Sequence, residues 1–432
     1  MTKNDKKIIP RDIFKNKADQ LSNIEVDFDK PLSFDEALKS DDIISDELIT
    51  NDNKLSTKTE KSNPKKSKSR SEITQICAVF VDKKNAVIVL NEFDGRHYFL
   101  KKMLVTPVDY PIITEENLGK ELTDQDIFNL KVEALKKGLD LLNINRKNTI
   151  FVSGVGGQSM VEQFKFTGIY EDQIHEKVKN SIMMPFENNG RVECLVLGTE
   201  QGQNGLAYNV LGVAIDNRNF FEALGLINST GIECEIMDIE VISLLNLFIF
   251  SEKPDNNKVH CILDIGDEVS NIIIYSEKNG GIFKRNLEFT YSGLIKMISK
   301  NRDITKSEAI ELVESTNFYT FITKAFEMET QENLNKQFPV KNYIRESLLG
   351  EIQKTFQYYS SKLSNQMPSM VYICGMGNIL KDFDNFFSKT ADIKAKHMDI
   401  LANFKGSNEI KKYAQDNSHI IYKALGLSLR HD

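Results

Sequence analysis

Val259–Ser299, with the sequence VHCILDIGDEVSNIIIYSEKNGGIFKRNLEFTYSGLIKMIS, is the stretch that decides the fold of this chain. It contains three short runs rich in β-branched and aromatic residues. The first run ends at Asp264–Gly266, and the pair Gly280–Gly281 separates the second run from the third. Short runs of this kind, broken by turn residues, predict a meander of three strands.

Asp264 and Gly266 lie where the first strand of this meander folds back into the second. A glycine lets backbone N–H groups approach an oxyanion, and a neighbouring aspartate can hold Mg²⁺ through water. A plain hairpin whose glycine takes a positive φ explains the same residues equally well. The D-I-G turn therefore predicts either a phosphate and metal site or a simple hairpin.

The same strand–turn–strand pattern occurs earlier in the chain. Ile76–Leu90 reads as two strands joined at Asp82–Asn85, and Tyr98–Val105 reads as a third. Asp124–Leu142 follows with apolar residues at helical spacing. Two meanders of one kind indicate an internal duplication.

A glycine-rich turn near the end of the chain offers a second candidate binding position. Met370–Cys374 reads as a strand and runs through Gly375, Gly377 and Asn378 into a predicted helix. A strand, a glycine turn and a helix N-terminus together can receive a phosphate or an adenosine. A tight strand-to-helix turn is the alternative explanation.

Composition excludes several classes of protein. The chain has 432 residues, which allows two or three domains, and its net charge of -7 argues against nucleic-acid binding. None of the five cysteines forms a C-x-x-C pair, which favours reduced, buried thiols. The longest apolar run, Val241–Phe250, is too short to span a bilayer, and no signal peptide precedes it, so we expect a soluble protein with no transmembrane segment.

The first 72 residues differ from the rest of the chain. They are rich in Lys, Asp, Asn and Ser and poor in aromatic residues. Such a segment buries too little apolar surface to offset its ordering entropy, so we predict a disordered tail and linker.

In their order and spacing, these motifs resemble those of the FtsA and PilM group of actin-like ATPases, and within it the PilM family of type IV pilus assembly. LDIGDEVSNIIIY resembles the second phosphate loop of that group, YICGMGNIL the adenosine loop, and MMPF at 183–186 a turn of its inserted subdomain 1C. The resemblance implies duplicated ribonuclease-H-like α/β domains. It places subdomain 1A at 73–148 plus 217–257, subdomain 1C at 149–216, and the second domain at 258–432, with the last helix able to pack back on 1A.

The resemblance also implies site residues. ATP with Mg²⁺ would lie against the two turns and the adenosine loop, and Asp264 would hold the metal. No glycine occurs in the Asp82–Asn85 turn, where the family has D-I-G-S-S, so a degenerate nucleotide site with at most weak ATPase activity is expected. The residues expected to contact nucleotide are Asp264, Gly266, Ser270, Gly375, Gly377, Asn378, Lys83 and Lys84.

The function implied is that of a cytoplasmic scaffold, peripheral at the inner membrane. It would bind the N-terminal peptide of a PilN-like single-pass membrane protein in a groove between subdomains 1A and 1C. Phe151, Gly154, Met184 and Phe186 are the candidate groove residues. An active, self-associating actin-like ATPase, an FtsA-like division tether and a sugar kinase of the same superfamily are the alternatives.

Overall fold

A computed structural model of the chain describes residues 73–111, 122–182, 189–202, 205–277, 281–321, 339–361 and 366–430. The predicted tail at 1–72 lies outside the described residues, and so do Met184 and Phe186. The strands are β1 Thr74–Val81, β2 Asn85–Phe93, β3 Tyr98–Pro107, β4 Thr149–Val155, β5 Ser159–Thr167, β6 Gly190–Gly202, β7 Gly205–Asp216, β8 Ile236–Ile239, β9 His260–Ile265, β10 Ser270–Ser276, β11 Gly281–Leu287, β12 Met370–Gly375 and β13 Ala395–His397.

Eleven α-helices are described between and after these strands. They are α1 Asp124–Leu142, α2 Ile174–Ser181, α3 Asn217–Asn228, α4 Glu240–Glu252, α5 Tyr291–Arg302, α6 Lys306–Ser315, α7 Pro339–Tyr343, α8 Glu351–Tyr359, α9 Phe383–Ala391, α10 Asn408–Asp416 and α11 Ser418–Leu427. The sequence predicts a capping box at the start of α6. The structure confirms it, because Thr305 accepts from the Glu308 amide and the Glu308 carboxylate accepts from the Thr305 amide.

Two five-stranded sheets have the same topology. The first has the order β3-β2-β1-β4-β8 and the second the order β11-β10-β9-β12-β13. In each sheet the three strands of a meander pair antiparallel, and two later strands add in parallel beside the first strand of that meander. This repeat is the duplication that the two meanders of the sequence predict.

The third sheet has the order β5-β7-β6 and carries α2 on one face. It belongs to the segment inserted between β4 and β8 of the first sheet. The predicted start of this inserted segment at residue 149 is wrong, because β4 pairs in parallel with β1 on one side and with β8 on the other. The strand TIFVSGV is apolar enough to be buried within a parallel sheet, so it belongs to the first half of the molecule rather than to the insertion.

The last helix, α11, packs on the first half of the molecule. It lies against α4 and also contacts β1, β2 and β4. Its apolar residues Ile421, Leu425 and Leu427 are fully buried in the core that surrounds the first sheet. The same core extends into the second half. The ring of Phe248 on α4 lies 4.8 Å from the ring of Tyr372 on β12. The two halves therefore share a continuous apolar contact beneath the cleft that separates their turns.

Candidate functional site

The two predicted turns face each other across a cleft between the halves. Lys83, in the β1–β2 turn, lies 2.7 Å from a carboxylate oxygen of Glu268 in the β9–β10 turn. The Lys84 ammonium lies 2.6 Å from a carboxylate oxygen of Asp267, also in the β9–β10 turn. The hydrogen bond to Glu268 raises the pKa of Lys83 above its ordinary value. The structure thus brings the two lysines predicted from sequence to the cleft and pairs each with a carboxylate of the opposite turn.

Asp264 lies beneath this pair of turns, with only 1% of its surface exposed. One carboxylate oxygen accepts a hydrogen bond from the Tyr422 hydroxyl at 2.7 Å, and the other accepts from the Asn271 amide at 3.2 Å. Burial, and after it the charge of Asp264, raises the pKa of Tyr422 well above its ordinary value, so its hydroxyl remains a donor. Both oxygens of the predicted metal ligand are therefore used by protein donors.

Gly266 and Ser270 close the second turn on itself. The Gly266 amide donates to the Ser270 hydroxyl at 3.0 Å, and Ser270 is fully buried. A Cβ atom at Gly266 would lie 1.9 Å from the Val269 carbonyl oxygen. The close approach of the chain to itself therefore requires glycine at this position. A left-handed backbone does not, because Gly266 is not among the residues with positive φ.

The glycine turn after β12 lies against the same buried carboxylate. Gly375 has a φ of +66°, and its Cβ position is 2.9 Å from an Asp264 oxygen and 3.1 Å from the Tyr422 hydroxyl. Gly377 is buried against Ile373. Asn378 lies apart from them, with its side-chain oxygen 3.2 Å from His397 Nδ1. Gly375 thus lies close to Asp264, whereas Asn378 contacts a neighbouring strand.

The structure places the predicted groove residues Phe151 and Gly154 within the first sheet. Phe151 is 3% exposed within the first sheet, and a Cβ atom at Gly154 would lie 2.5 Å from Phe80 and 2.8 Å from Leu427. Both residues lie on β4, an interior strand of the first sheet that α11 covers. Gly154 also borders the cleft.

A cavity of about 430 Å³ continues from the turns into the first half of the molecule. Its walls carry two ion pairs that the sequence patterns do not reveal. Lys131 on α1 lies 2.6 Å from Glu222 on α3, and Lys423 on α11 pairs with Glu240 at the start of α4. The partners in each pair are distant in sequence. Each residue lies on a helix face or near a helix start, as many charged residues do, so no local signal identifies the pairs.

Lys284 is a further buried charge that sequence reasoning missed. It extends from β11 in the second half to the Ser159 carbonyl oxygen at the start of β5, a distance of 2.7 Å. It also donates to Asn286 and is 8% exposed. Burial lowers the pKa of Lys284 to about 8, although Glu240 and Asp264 oppose that shift.

The stability of the chain should depend on pH through Lys284. An unfolded lysine has a pKa of about 10.4, so between pH 8 and that value the unfolded chain binds more protons at this residue than the folded chain. The contribution of Lys284 to stability therefore rises with pH in this window. We expect wild type to gain about 2 kcal/mol relative to Lys284→Met between pH 7.5 and 9.5.

Urea unfolding at both pH values measures this gain. The control is Lys165→Met, because Lys165 is exposed and pairs with Glu200 on the surface of the third sheet. That variant should change in parallel with wild type. A Lys284→Met variant that also changes in parallel with wild type would show that Lys284 keeps an ordinary pKa in the folded chain.

ATP with Mg²⁺, the ligand that the resemblance implies, would meet side chains at the cleft that already have partners within the protein. Lys83 and Lys84 are paired with carboxylates, and each oxygen of Asp264 accepts one hydrogen bond. No group of three or more His, Cys, Asp or Glu side chains suited to a metal ion occurs within the described ranges. A triphosphate would have to displace Asp267 and Glu268 to reach the lysines.

Two sheets of identical topology around a cleft, with a small sheet inserted in the first half, define the actin-like ATPase fold. A profile described as "Type IV pilus assembly protein PilM" matches residues 169–432, which is more than half of the chain. The chain belongs to this family, as the sequence motifs predict. Within the part of the chain that the structure describes, no helix is both long and apolar enough to cross a bilayer.

One solved structure supports this fold, and two others give weaker matches. The structure described as the PilM-PilN type IV pilus biogenesis complex superposes with a TM-score of 0.62 at 15% identity, covering 82% of this chain and 98% of that chain. Ethanolamine utilization protein EutJ from Carboxydothermus hydrogenoformans gives 0.42 at 12% identity, covering 83% and 90%. MreB 5 of Spiroplasma citri bound to AMPPNP gives 0.41 at 14% identity, covering 83% and 96%. A comparison with curated protein sequences gave no match.

Proposed function

We propose that this chain is a cytoplasmic, actin-like scaffold of the assembly platform beneath the inner membrane, for a type IV pilus or a related machine. It binds the N-terminal cytoplasmic peptide of a PilN-like single-pass membrane protein, which keeps it peripheral at the membrane. The observation that carries this proposal is membership of the PilM family over residues 169–432. The solved complex with the same fold supports it, because that complex joins a PilM to a PilN.

The binding groove is proposed to lie where α3 meets the inserted sheet. The guanidinium of Arg191 on β6 stacks 4.2 Å from the ring of Phe220 on α3, so strand and helix are adjacent there. Half-buried apolar side chains on the same strand and helix pack against the core without being covered by it. They are Leu195 and Leu197 of β6 and Phe221 and Leu224 of α3.

A peptide with apolar residues would cover these side chains and remove them from water. We expect Leu195→Asp to weaken binding of the PilN-like N-terminal peptide from the same genome by at least about tenfold, because a carboxylate would be buried without a partner. Fluorescence anisotropy of the labelled peptide, titrated with the purified chain, measures the effect.

Leu141→Asp is the matched control, since Leu141 is 68% exposed on α1 in the first half. It introduces the same charge and should leave the affinity for the peptide unchanged. Equal affinity of wild type and Leu195→Asp for the peptide would show that the groove does not include Leu195. Failure of wild type to bind the peptide at all would contradict the proposed function.

The nucleotide site is proposed to be degenerate. The β1–β2 turn has lysines in place of a glycine, and those lysines are paired across the cleft. A scaffold with this site would bind ATP with Mg²⁺ weakly or not at all. The alternatives are an active, self-associating actin-like ATPase and an FtsA-like membrane tether, and rapid ATP turnover by the purified chain would favour the first.

A further inference from the structure

Three backbone donors at the mouth of the cleft are satisfied by the protein itself. Asp82 accepts hydrogen bonds from the amides of Lys84 and Asn85 at 2.7 and 2.8 Å, which closes the first turn around its own carboxylate. In the second turn the Gly266 amide donates to Ser270. Three N–H groups next to the cleft are thus already bonded within their own turns and do not point to an external anion.

The cationic side chains at the mouth are satisfied in the same way, but across the cleft. Lys84 pairs with one oxygen of Asp267, and the other oxygen of Asp267 accepts from the Ser292 hydroxyl at 2.7 Å. The Ser292 amide also donates to the Asp267 carbonyl oxygen at 3.0 Å. Asp267 is therefore held in place on the start of α5, with its carboxylate directed at the opposite turn.

From these contacts we infer that Asp267 and Glu268 are built-in anions, which pair with Lys84 and Lys83 in place of a bound phosphate group. They join the two turns without a ligand, and they exclude free polyphosphates from the cleft. An incoming polyphosphate would have to break both ion pairs and would then lie beside two displaced carboxylates.

The exposure of the four side chains indicates what these ion pairs do. Lys83 and Glu268 are 67% and 51% exposed, and Lys84 and Asp267 are 61% and 24% exposed. Ion pairs this exposed contribute little to the stability of a fold. Like charges a few ångströms apart still repel an incoming anion strongly at low salt. The main consequence of the two carboxylates is therefore on anion binding.

Removing the carboxylates tests this role. In the variant D267S/E268S the two lysines lose their partners, and we expect inorganic tripolyphosphate to bind about tenfold more tightly than to wild type at low salt. The gain should shrink at high salt because the lysines are exposed. Isothermal titration calorimetry measures both affinities, and circular dichroism checks that each variant is folded.

Two further variants make the test specific. E200S/D255S removes the same two charges from exposed ion pairs with Lys165 and Lys258, away from the cleft, and should not gain affinity. Adding K83S/K84S to D267S/E268S should abolish the gain. Should D267S/E268S fold poorly, D267N/E268Q, which preserves side-chain shape, replaces it with the same expected gain.

Because this assignment rests on the degenerate nucleotide site proposed above, wild type provides the discriminating result. Tight binding of tripolyphosphate and ATP·Mg by wild type would contradict both the degenerate site and the built-in anions. Weak binding by wild type, with no gain in a folded D267S/E268S, would contradict only the built-in anions. The comparison of wild type with Leu195→Asp in peptide binding, made without nucleotide, bears on neither result.

Discussion

Gly426→Ala is expected to destabilise the chain by about 3 kcal/mol, although alanine is the better helix former. Gly426 lies on α11, where this helix crosses α4. A Cβ atom there would lie 2.0 Å from the Ser243 carbonyl oxygen and 2.6 Å from the Ser243 hydroxyl. Because the obstacle is backbone, the two helices would have to move apart and open the core that they share.

The matched control is Gly225→Ala on α3. A Cβ atom at Gly225 would meet only the ring of Phe128, at 3.4 Å, which is an ordinary contact. Helix propensity then determines the change in stability, and this variant should be more stable than wild type by up to about 1 kcal/mol. Urea unfolding of both variants measures the difference, and equal stability of the two would contradict the close approach of α11 to α4.

Lys423→Met is the second substitution with a large expected effect, a loss of about 3–5 kcal/mol. Lys423 pairs with Glu240, whose side chain is 6% exposed at the start of α4. Burial lowers the pKa of Lys423, but Glu240 and Asp264 outweigh it and raise that pKa, so the ammonium remains charged. Removing it would leave the Glu240 carboxylate buried without its ion-pair partner.

Two comparisons separate this effect from lost packing. Lys131→Met removes the partner of Glu222 at the same cavity, but the Glu222 side chain is 36% exposed and can be hydrated, so its loss should be much smaller. The double variant Glu240→Leu with Lys423→Met should recover most of the stability lost by Lys423→Met alone. Urea unfolding of all three variants checks this, and a loss for Lys131→Met as large as that for Lys423→Met would be the contrary result.

Local patterns in the sequence were enough to predict the duplicated architecture. Strand periodicity at Ile76–Leu90 and Cys261–Tyr275, with a turn in each, predicts two meanders, and both are confirmed. The D-I-G turn and the glycine turn after β12 also led to residues that lie close together, since Gly375 is against Asp264. These features could be predicted because strand pairing between neighbours is set by short stretches of the chain.

The remainder depends on contacts between segments far apart in sequence. Lys423 and Glu240 are 183 residues apart, and Tyr422 and Asp264 are 158 apart. Nothing in HIIYKALGLSL, residues 419–429, shows that neighbouring residues of this helix contact both halves, Tyr422 through Asp264 and Lys423 through Glu240. The parallel pairing of β4 was missed for the same reason, because its run TIFVSGV could equally well begin a separate unit.

The measurement that tests the central claim most directly is the affinity of the purified chain for the PilN-like peptide, taken without nucleotide and with saturating ATP·Mg. The two halves share a continuous apolar core, and Lys83 and Lys84 are already paired with carboxylates across the cleft, so the halves need no ligand between them. We therefore predict the same Kd in both titrations. Peptide binding that occurs only with ATP·Mg would contradict this account.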